Sequence, residues 1–236
     1  MIILGITTNE NRMLLNECGE RMDQKQPPDS IILGLDISHI SARRIWVDAE
    51  LNDEQRMLFL RSHFDACKDY CIDYECIKQD QGRELLHVYK TSRSMLLGIM
   101  KRHQLKAKKF TVETSLHGLG RALIQQQRLG KKVFHCLSFF DDTLVFSVHA
   151  EEMLIYYHVE AINDSADTLC AARRALVRYQ CDDDYREIEH VIYLLFTKNI
   201  FFEGVDFLNL GVFCSNISYE SCQTIIPYGL ALRGLM

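Results

Sequence analysis

The order of strand-like and helix-like segments runs through a similar sequence twice in this chain of 236 residues. In each pass, three or more strand patterns come first, and a helix, a strand, a helix and another strand follow. Residues 1–128 form the first pass and residues 129–236 the second, which predicts two mixed α/β lobes in one two-lobed unit. Because two such lobes usually face each other across a cleft, a ligand is expected at the loops that border it.

In the first lobe, apolar and alternating runs predict strands at residues 1–6, 12–16, 31–37, 43–48, 84–90 and 109–113. Asn52 can cap a helix, and Gln55 three residues later can complete a capping box. Apolar residues then recur at helical spacing as far as Cys71, so the helix is predicted to reach Cys71. Further helices are predicted after a cap at Thr91 or Ser92 and over residues 115–129.

In the second lobe, three segments predict an antiparallel meander, namely residues 132–138, 143–149 and 154–159. A helix is predicted from Asp164 or Ser165 to Tyr179. Residues 191–197 form a near-continuous apolar run, which is typical of a central parallel strand. The remaining predicted elements are a short helix near Val205, a strand at residues 210–214 and a terminal helix from Tyr228.

Composition and charge exclude several classes of protein. Lys and Arg number 27 against 32 Asp and Glu, which argues against a nucleic-acid binder that depends on phosphate contacts. The nine cysteines show no regular framework, and no charged-then-apolar leader precedes them, so reduced thiols in a cytoplasm are expected. No apolar run approaches the roughly 18 residues of a membrane span, so any membrane link is expected to come through a partner.

Motifs for nucleotide and metal chemistry are absent from the sequence. There is no Gly-x4-Gly-Lys loop, no Gly-x-Gly-x2-Gly, no His-Glu-x2-His and no Cys-x2-Cys pair. Phosphate cradles need small residues that let backbone amides approach the ligand. The turns that open the two lobes instead carry Thr7-Thr8-Asn9 and Phe139-Phe140-Asp141.

Two clusters allow a metal interpretation and a plainer one. His63, Cys67 and Cys71, with Cys76 nearby, could hold a transition metal, but positions eight residues apart on a straight helix are too distant to share one ion. The core interpretation is therefore preferred, since buried cysteine behaves as a small hydrophobic residue. Asp182-Asp183-Asp184 is likewise read as a solvated charge run rather than a cation site.

Several histidines and aromatic residues invite functional roles without a supporting motif. His39, His117 and His135 lie in mixed apolar contexts and are predicted to be structural, with satisfied hydrogen bonds. Trp46, Phe139 and Phe140 are predicted to be packing residues, although an exposed Phe139 or Phe140 could anchor a partner.

The first half of the chain resembles a known family. Residues 30–76, with the acidic helix start Asp48-Ala-Glu-Leu-Asn-Asp-Glu-Gln55, are similar to a segment of the PilM-type actin-like proteins of type IV pilus assembly. Later segments continue the pattern in order, and Tyr228-Gly-Leu-Ala-Leu-Arg-Gly-Leu235 resembles the final helix of the family. This resemblance implies an actin-like, RNase H-like two-lobed α/β fold of reduced size.

The chain departs from the family at each nucleotide-binding loop. Family members that bind ATP carry Asp-x-Gly at both phosphate loops, where this sequence has Thr7-Thr8-Asn9 and Leu137-Ser138-Phe139. A glycine pair after the central strand is replaced by residues 195–198. The departures resemble a degenerate, HofM-like branch, which implies a pseudo-ATPase with no metal and no catalytic residue. The vestigial cleft would then be formed by Thr7, Asn9, Ser138, Asp141 and Asp142.

The resemblance implies a non-catalytic adaptor of type IV pilus or competence assembly. Such a protein would hold the cytoplasmic tail of a PilN-like inner-membrane protein in a groove beside an exposed strand edge or between subdomains. It would need no cofactor, would contact no nucleic acid and would reach the membrane only through its partner. Formation of a homo-oligomer is left open.

Three alternatives remain at this stage. The cleft could bind Mg·ATP through a rewired site that uses Thr7, Asn9, Asp141 and Asp142. An unrelated enzyme on the same frame would need clustered strand-end carboxylates, for which Asp36 is a candidate beside Asp141 and Asp142. An actin-like component of a type II secretion system would be expected to continue into a membrane helix beyond Met236.

Overall fold

A computed structural model describes residues 1–9, 11–23, 27–64, 69–127, 133–140, 143–162, 167–182, 192–196, 214–217 and 219–236. The first part of the chain contains β1 (Ile2–Thr7), β2 (Arg12–Asn16), β3 (Ser30–Leu35), a short 3-10 helix (Ile37–His39), β4 (Ser41–Asp48), α1 (Asp53–His63), β5 (Tyr70–Asp80), β6 (Arg83–Ser92), α2 (Arg93–Arg102), β7 (Lys109–Thr114) and α3 (Ser115–Gln127). The second contains β8 (Val133–Phe140), β9 (Thr143–Ala150), β10 (Met153–Ala161), α4 (Asp167–Gln180), β11 (Ile192–Phe196), β12 (Cys214–Ile217) and α5 (Tyr219–Arg233).

The chain divides into two compact units. The first unit comprises Met1–Gly118 and Pro227–Met236, and the second comprises Leu119–Ile226. The division therefore falls within α3 and within α5, and the end of the chain returns to the first unit. The boundary predicted from the sequence, between residues 128 and 129, lies outside the described residues and stays a prediction.

The second unit is built on one five-stranded sheet with the order β10-β9-β8-β11-β12. The first three strands form the predicted antiparallel meander, and β11 runs parallel to both β8 and β12. Helix α4 covers the β9–β10 side of the sheet. Its fully buried Tyr179 packs against Phe146 and Tyr156, with ring centroids 5.3 Å and 4.9 Å apart.

The first unit is built on a four-stranded sheet with the order β2-β1-β3-β7. Its central strand β3 is buried along its whole length, as expected of a parallel strand covered on both faces. One face packs against Leu96 and Ile99 of α2. The other face meets the end of α5, where a side chain on Gly5 would overlap the carbonyl oxygen of Pro227.

A second sheet is inserted into the first unit between β3 and β7. Strands β4, β6 and β5 form an antiparallel sheet in that order, and α1 covers one of its faces. Leu60 and Phe64 pack there against Val47, Leu86 and Val88. The predicted capping box is confirmed, because Gln55 N donates to the Asn52 side chain and Asn52 N donates to the Gln55 side chain.

The helix predicted to reach Cys71 is wrong beyond His63. Phe64 is its C-cap, and Cys71 and Cys76 belong to strand β5. The apolar spacing of Phe64 and Cys71 fits a helix by chance, whereas both contribute to the packing of the sheets. Cys67 lies outside the described residues.

The terminal helix predicted from Tyr228 begins earlier, at Tyr219. Pro227 lies inside this helix, so a residue that usually interrupts a helix does not mark its start here. The last strand, Cys214–Ile217, overlaps the predicted strand at residues 210–214 only at Cys214. Residues 210–213, and Val205 with the helix predicted near it, lie outside the described residues. No helix among the described residues is long and apolar enough to cross a membrane.

Candidate functional site

A pocket of about 350 Å³ lies within the first unit, between the inserted sheet and the β3–β7 end of the main sheet. It is bordered by residues 71–75 of β5, 89–91 of β6 and 111–114 of β7. The remaining lining comes from Leu35, Ile40, Leu96, His117 and Arg233. The pocket therefore combines an apolar floor with charged and hydroxyl groups.

The backbones of β5 and β7, each at the edge of its sheet, border this pocket. Side chains of a strand alternate between two faces, so a run of consecutive lining residues means that the edge of the strand faces the pocket. Ile72 and Tyr74, for example, pack their side chains towards α1, yet both border the pocket. Strands β5 and β7 are each last in the described order of their sheets, and neither pairs with the other. We call the space between these two edges the groove.

A hydrogen-bonded network fixes one carboxylate in the groove. His117 Nε2 lies 2.9 Å from Glu75 Oε2, and the Tyr89 hydroxyl donates to the same oxygen at 3.2 Å. His117 Nδ1 lies 2.7 Å from the Thr114 hydroxyl, and the Tyr89 oxygen lies 3.0 Å from His87 Nδ1. The network connects β5, β6, β7 and α3, so it holds the inserted sheet to the main sheet.

Glu75 is ionised in this environment. Burial pushes the pKa of its carboxyl group upward, but the hydrogen bond and charge interaction with His117 and the hydrogen bond from Tyr89 outweigh that effect, and the net pKa lies below the ordinary value. Oε1 has no hydrogen bond within the described residues, and no Lys or Arg among them pairs with Glu75. Arg233 also borders the groove and has no ion-pair partner in the part of the chain that the structure describes.

A second polar cluster lies at the carboxyl ends of β1 and β3. Asp36 Oδ2 accepts a hydrogen bond from the Thr8 hydroxyl, and Oδ1 accepts one from the Ser115 hydroxyl at 3.0 Å. Thr7 is buried, its N–H donates to Asn11 O, and its hydroxyl has no partner among the described residues. Asn9 is exposed beside it. Each oxygen of Asp36 thus accepts one hydrogen bond from a neighbouring hydroxyl group.

The other predicted cleft residues belong to the second unit. Ser138 lies in β8 between Val145 of β9 and Leu195 of β11 in register, is fully buried, and its hydroxyl has no partner in the described part of the chain. Asp141 and Asp142 lie outside the described residues. The vestigial cleft of Thr7, Asn9, Ser138, Asp141 and Asp142 therefore stays a prediction.

The candidate metal ligands fall on different elements. His63 is exposed at the end of α1, whereas Cys71 and Cys76 are half-buried in β5. Asp182 follows α4, and Asp183 and Asp184 lie outside the described residues. Within the described ranges, no group of three or more His, Cys, Asp or Glu side chains is placed to hold a metal ion.

The three histidines that were predicted to be structural differ in their surroundings. His117 is buried with both ring nitrogens in hydrogen-bonding contact, as predicted. His39 is exposed, which contradicts the expectation, because it lies in the short 3-10 helix rather than in a strand. His135 is buried but its Nε2 has no partner among the described residues, and burial lowers its pKa to about 4.

The aromatic residues that were predicted to pack in a core differ in their burial. Phe139 is buried in β8, as the packing interpretation predicts, and the side chain of Phe140 lies outside the described part. Trp46 is 36% exposed rather than packed in a core. It lies on edge strand β4, with the Arg83 guanidinium 5.3 Å and the Lys78 ammonium 5.9 Å from its ring.

The groove residues Glu75, Tyr89 and Thr114 were missed by sequence reasoning. The missed strand β5 explains this, because a sequence read as helix up to Cys71 hides the alternation of Cys71, Asp73 and Glu75 on one face. That alternation opposite Ile72 and Tyr74 is the signal that could have identified the strand.

No family model and no curated protein sequence matches the chain. Among solved structures, it is similar to a chain of the PilM-PilN type IV pilus biogenesis complex, with a TM-score of 0.68 and 13% identity over 90% of this chain and 81% of that one. It is also similar to the cytoplasmic domain of EpsL, an inner membrane component of the type II secretion system of Vibrio cholerae, with a TM-score of 0.50 and 10% identity over 99% and 94% of the two chains. Together with the sheet topology, these similarities confirm the predicted actin-like α/β fold.

Proposed function

We propose that this protein is a non-catalytic adaptor of type IV pilus assembly that binds the cytoplasmic tail of a PilN-like inner-membrane protein. The observation that carries the proposal is the groove between the exposed edges of β5 and β7. The similarity to a chain of the PilM-PilN type IV pilus biogenesis complex supports the choice of partner.

An extended peptide suits this groove for a physical reason. Backbone N–H and C=O groups on an exposed strand edge can pair with an added strand, which supplies affinity, while pockets for alternate side chains supply specificity. The apolar side chains Leu35, Ile40 and Leu96 line the groove beside those edges. A tail of mixed apolar and polar residues would therefore find both kinds of contact.

The proposed adaptor role does not involve ATP. An Mg·ATP site needs a carboxylate that is free to orient the hydrated ion. The strand-end carboxylate Asp36 of the first unit accepts hydrogen bonds from the hydroxyl groups of Thr8 and Ser115, so it is already oriented by the protein itself. We expect no thermal stabilisation by millimolar Mg·ATP, because a ligand that binds the native state must raise its stability. A clear upward shift in melting temperature would instead favour the nucleotide-binding alternative.

The adaptor role can be tested with a matched pair of variants. Asp73 is exposed in the groove, and Asp80 is exposed on the same strand but outside the groove. Asp73→Trp should block the groove and weaken binding of the PilN-like tail at least about tenfold, whereas Asp80→Trp should leave the dissociation constant within about twofold. Fluorescence anisotropy with a labelled synthetic tail measures both. Absence of wild-type binding at micromolar protein would rule out the proposed function.

A further inference from the structure

We infer that the docked tail carries a lysine or arginine whose cation pairs with Glu75 Oε1, and that this contact sets the register of the tail in the groove. The inference rests on the proposed function and adds the chemical feature that the tail must present. Three properties of the groove lead to it.

The first property is that Glu75 is oriented before any ligand arrives. Two hydrogen bonds reach its Oε2, from His117 at 2.9 Å and from Tyr89 at 3.2 Å. The side chain therefore has little freedom left to lose on binding, and its other oxygen points to a fixed place. A charge-assisted hydrogen bond to a preoriented carboxylate is stronger than one to a mobile surface group.

The second property is that neither Lys90 nor Arg233, which both border the groove, forms an ion pair with Glu75. The Lys90 ammonium donates to Phe64 O at 3.2 Å and lies 4.0 Å from the centroid of the Tyr70 ring, on the other face of the inserted sheet. Arg233 makes no ion pair with Glu75 within the described residues. The carboxylate thus faces the groove without a Lys or Arg partner among the described residues, and its Oε1 can still accept a hydrogen bond from one.

The third property is charge complementarity with a membrane-anchored tail. Glu75 and Asp73 lie on the same face of β5, and Glu113 borders the groove from β7. Cytoplasmic segments next to membrane spans carry an excess of Lys and Arg. Since side chains of an added strand alternate between faces, only every second residue of the tail can meet Glu75, so a cation at one position fixes the register.

The test is a double-mutant cycle between the protein and a labelled synthetic peptide. The peptide spans the N-terminal tail, up to the first membrane segment, of a PilN-like protein from the same organism. Protein variants are Glu75→Gln and, as the control, Asp80→Asn, and each peptide variant replaces one Lys or Arg by Gln. Glutamine keeps an oxygen that accepts from His117 and Tyr89, so melting curves should show that Glu75→Gln retains the fold.

We expect Glu75→Gln to weaken binding of the natural peptide about tenfold or more, since a hydrogen bond to a charged group is lost. One peptide substitution should cause the same loss, and combining it with Glu75→Gln should add nothing further. Asp80→Asn should change binding less than about twofold.

Two results would overturn the inference and leave the adaptor role standing. One is natural peptide that binds wild type and Glu75→Gln equally. The other is a loss in Glu75→Gln that adds fully to every peptide substitution, which would mean that Glu75 acts by holding the inserted sheet in place. If the natural peptide fails to bind wild type at all, the proposed function itself fails, and the inference with it.

Discussion

The two units differ in the main sheet on which each is built, which has five strands in the second unit and four in the first. In the second unit, the hairpin β8–β9 continues into a third strand, β10, and a helix, α4, before the chain enters the parallel strand β11. In the first unit, the hairpin β1–β2 is followed by residues 17–29, whose described members form neither helix nor strand, and the chain then enters β3 directly. Among the described residues, the first unit therefore has no counterpart of strand β10 and helix α4 before its parallel strand β3.

The first unit gains structure at another point. Between β3 and β7 it inserts a second sheet, β4-β6-β5, with α1 on one face. The groove forms where β5 of this insertion approaches β7 of the main sheet. The comparison teaches that the candidate binding site lies at the inserted sheet, while Asp36 at the end of β3 is hydrogen-bonded to Thr8 and Ser115 within the unit.

The largest expected effect comes from breaking the insertion. Leu60 is fully buried between α1 and the inserted sheet, so Leu60→Ala should cost about 2–5 kcal/mol through lost burial and the cavity it leaves. Hydrogen exchange should accelerate in β4, β5 and β6 but not in β8–β10. Leu154→Ala, at an equally buried position of β10, should give the opposite pattern. Uniform acceleration across both units in either variant would contradict the expected difference between the two units.

A backbone contact of the first unit provides the next effect. A methyl group on Gly5 would overlap the Pro227 carbonyl oxygen, which belongs to a helix and cannot move aside easily, so Gly5→Ala should destabilise by about 3 kcal/mol. In the second unit, a methyl group on Gly120 would lie 2.5 Å from the side chain of His149. The His149 ring is itself buried and stacked on Phe134, but the overlap is smaller than at Gly5 and involves a side chain rather than helix backbone, so Gly120→Ala should cost less. Urea unfolding midpoints of the two variants measure the difference, and equal shifts would argue against it.

A buried histidine of the second unit should make stability depend on pH. Burial lowers the pKa of His135 from 6.5 to about 4, so the unfolded chain takes up a proton at a higher pH than the folded chain does. Stability should fall as the pH drops from 6.5 towards 4, by about 2 kcal/mol between pH 7.5 and 5. His135→Leu should remove this part of the pH dependence in urea titrations, whereas exposed His39→Gln should retain it. An unchanged slope in His135→Leu would show that other groups cause it.

The smallest expected change in stability concerns Gly98, which has open space where Gly5 and Gly120 have close neighbours. A methyl group on Gly98 of α2 would meet no atom within 4 Å, so Gly98→Ala should stabilise the helix by about 0.5–1 kcal/mol. Thermal unfolding should show a small upward shift. A downward shift would mean that this face of α2 is covered in solution.

The sequence was informative where local pattern and tertiary packing agree. The meander of the second unit follows from three alternating apolar runs, and the capping box of α1 follows from Asn52 and Gln55. The extent of α1 was not predictable in the same way, because Phe64 and Cys71 have helical spacing but pack from a cap and a strand. Helix α5 was predicted too short, because its Pro227 is held within the helix.

The groove could not be predicted from local pattern at all. His117 meets Glu75, which is 42 positions away in the chain, and in the separate polar cluster Ser115 meets Asp36, which is 79 positions away. Such contacts depend on how two sheets are packed, which no short window of sequence encodes. Thr7 and Asn9 show the opposite case. The sequence singled them out because they replace the Asp and Gly of the family's phosphate loop, not because of any contact that they make.

The most direct test of this account is hydrogen exchange of the full chain with and without the synthetic PilN-like tail. If the tail adds a strand to the groove, exchange should slow at amides of β5 and β7, which border it, and stay unchanged in β8–β10. Saturating tail that protects only the second unit, or neither edge, would contradict the claim that the inserted sheet creates the binding site.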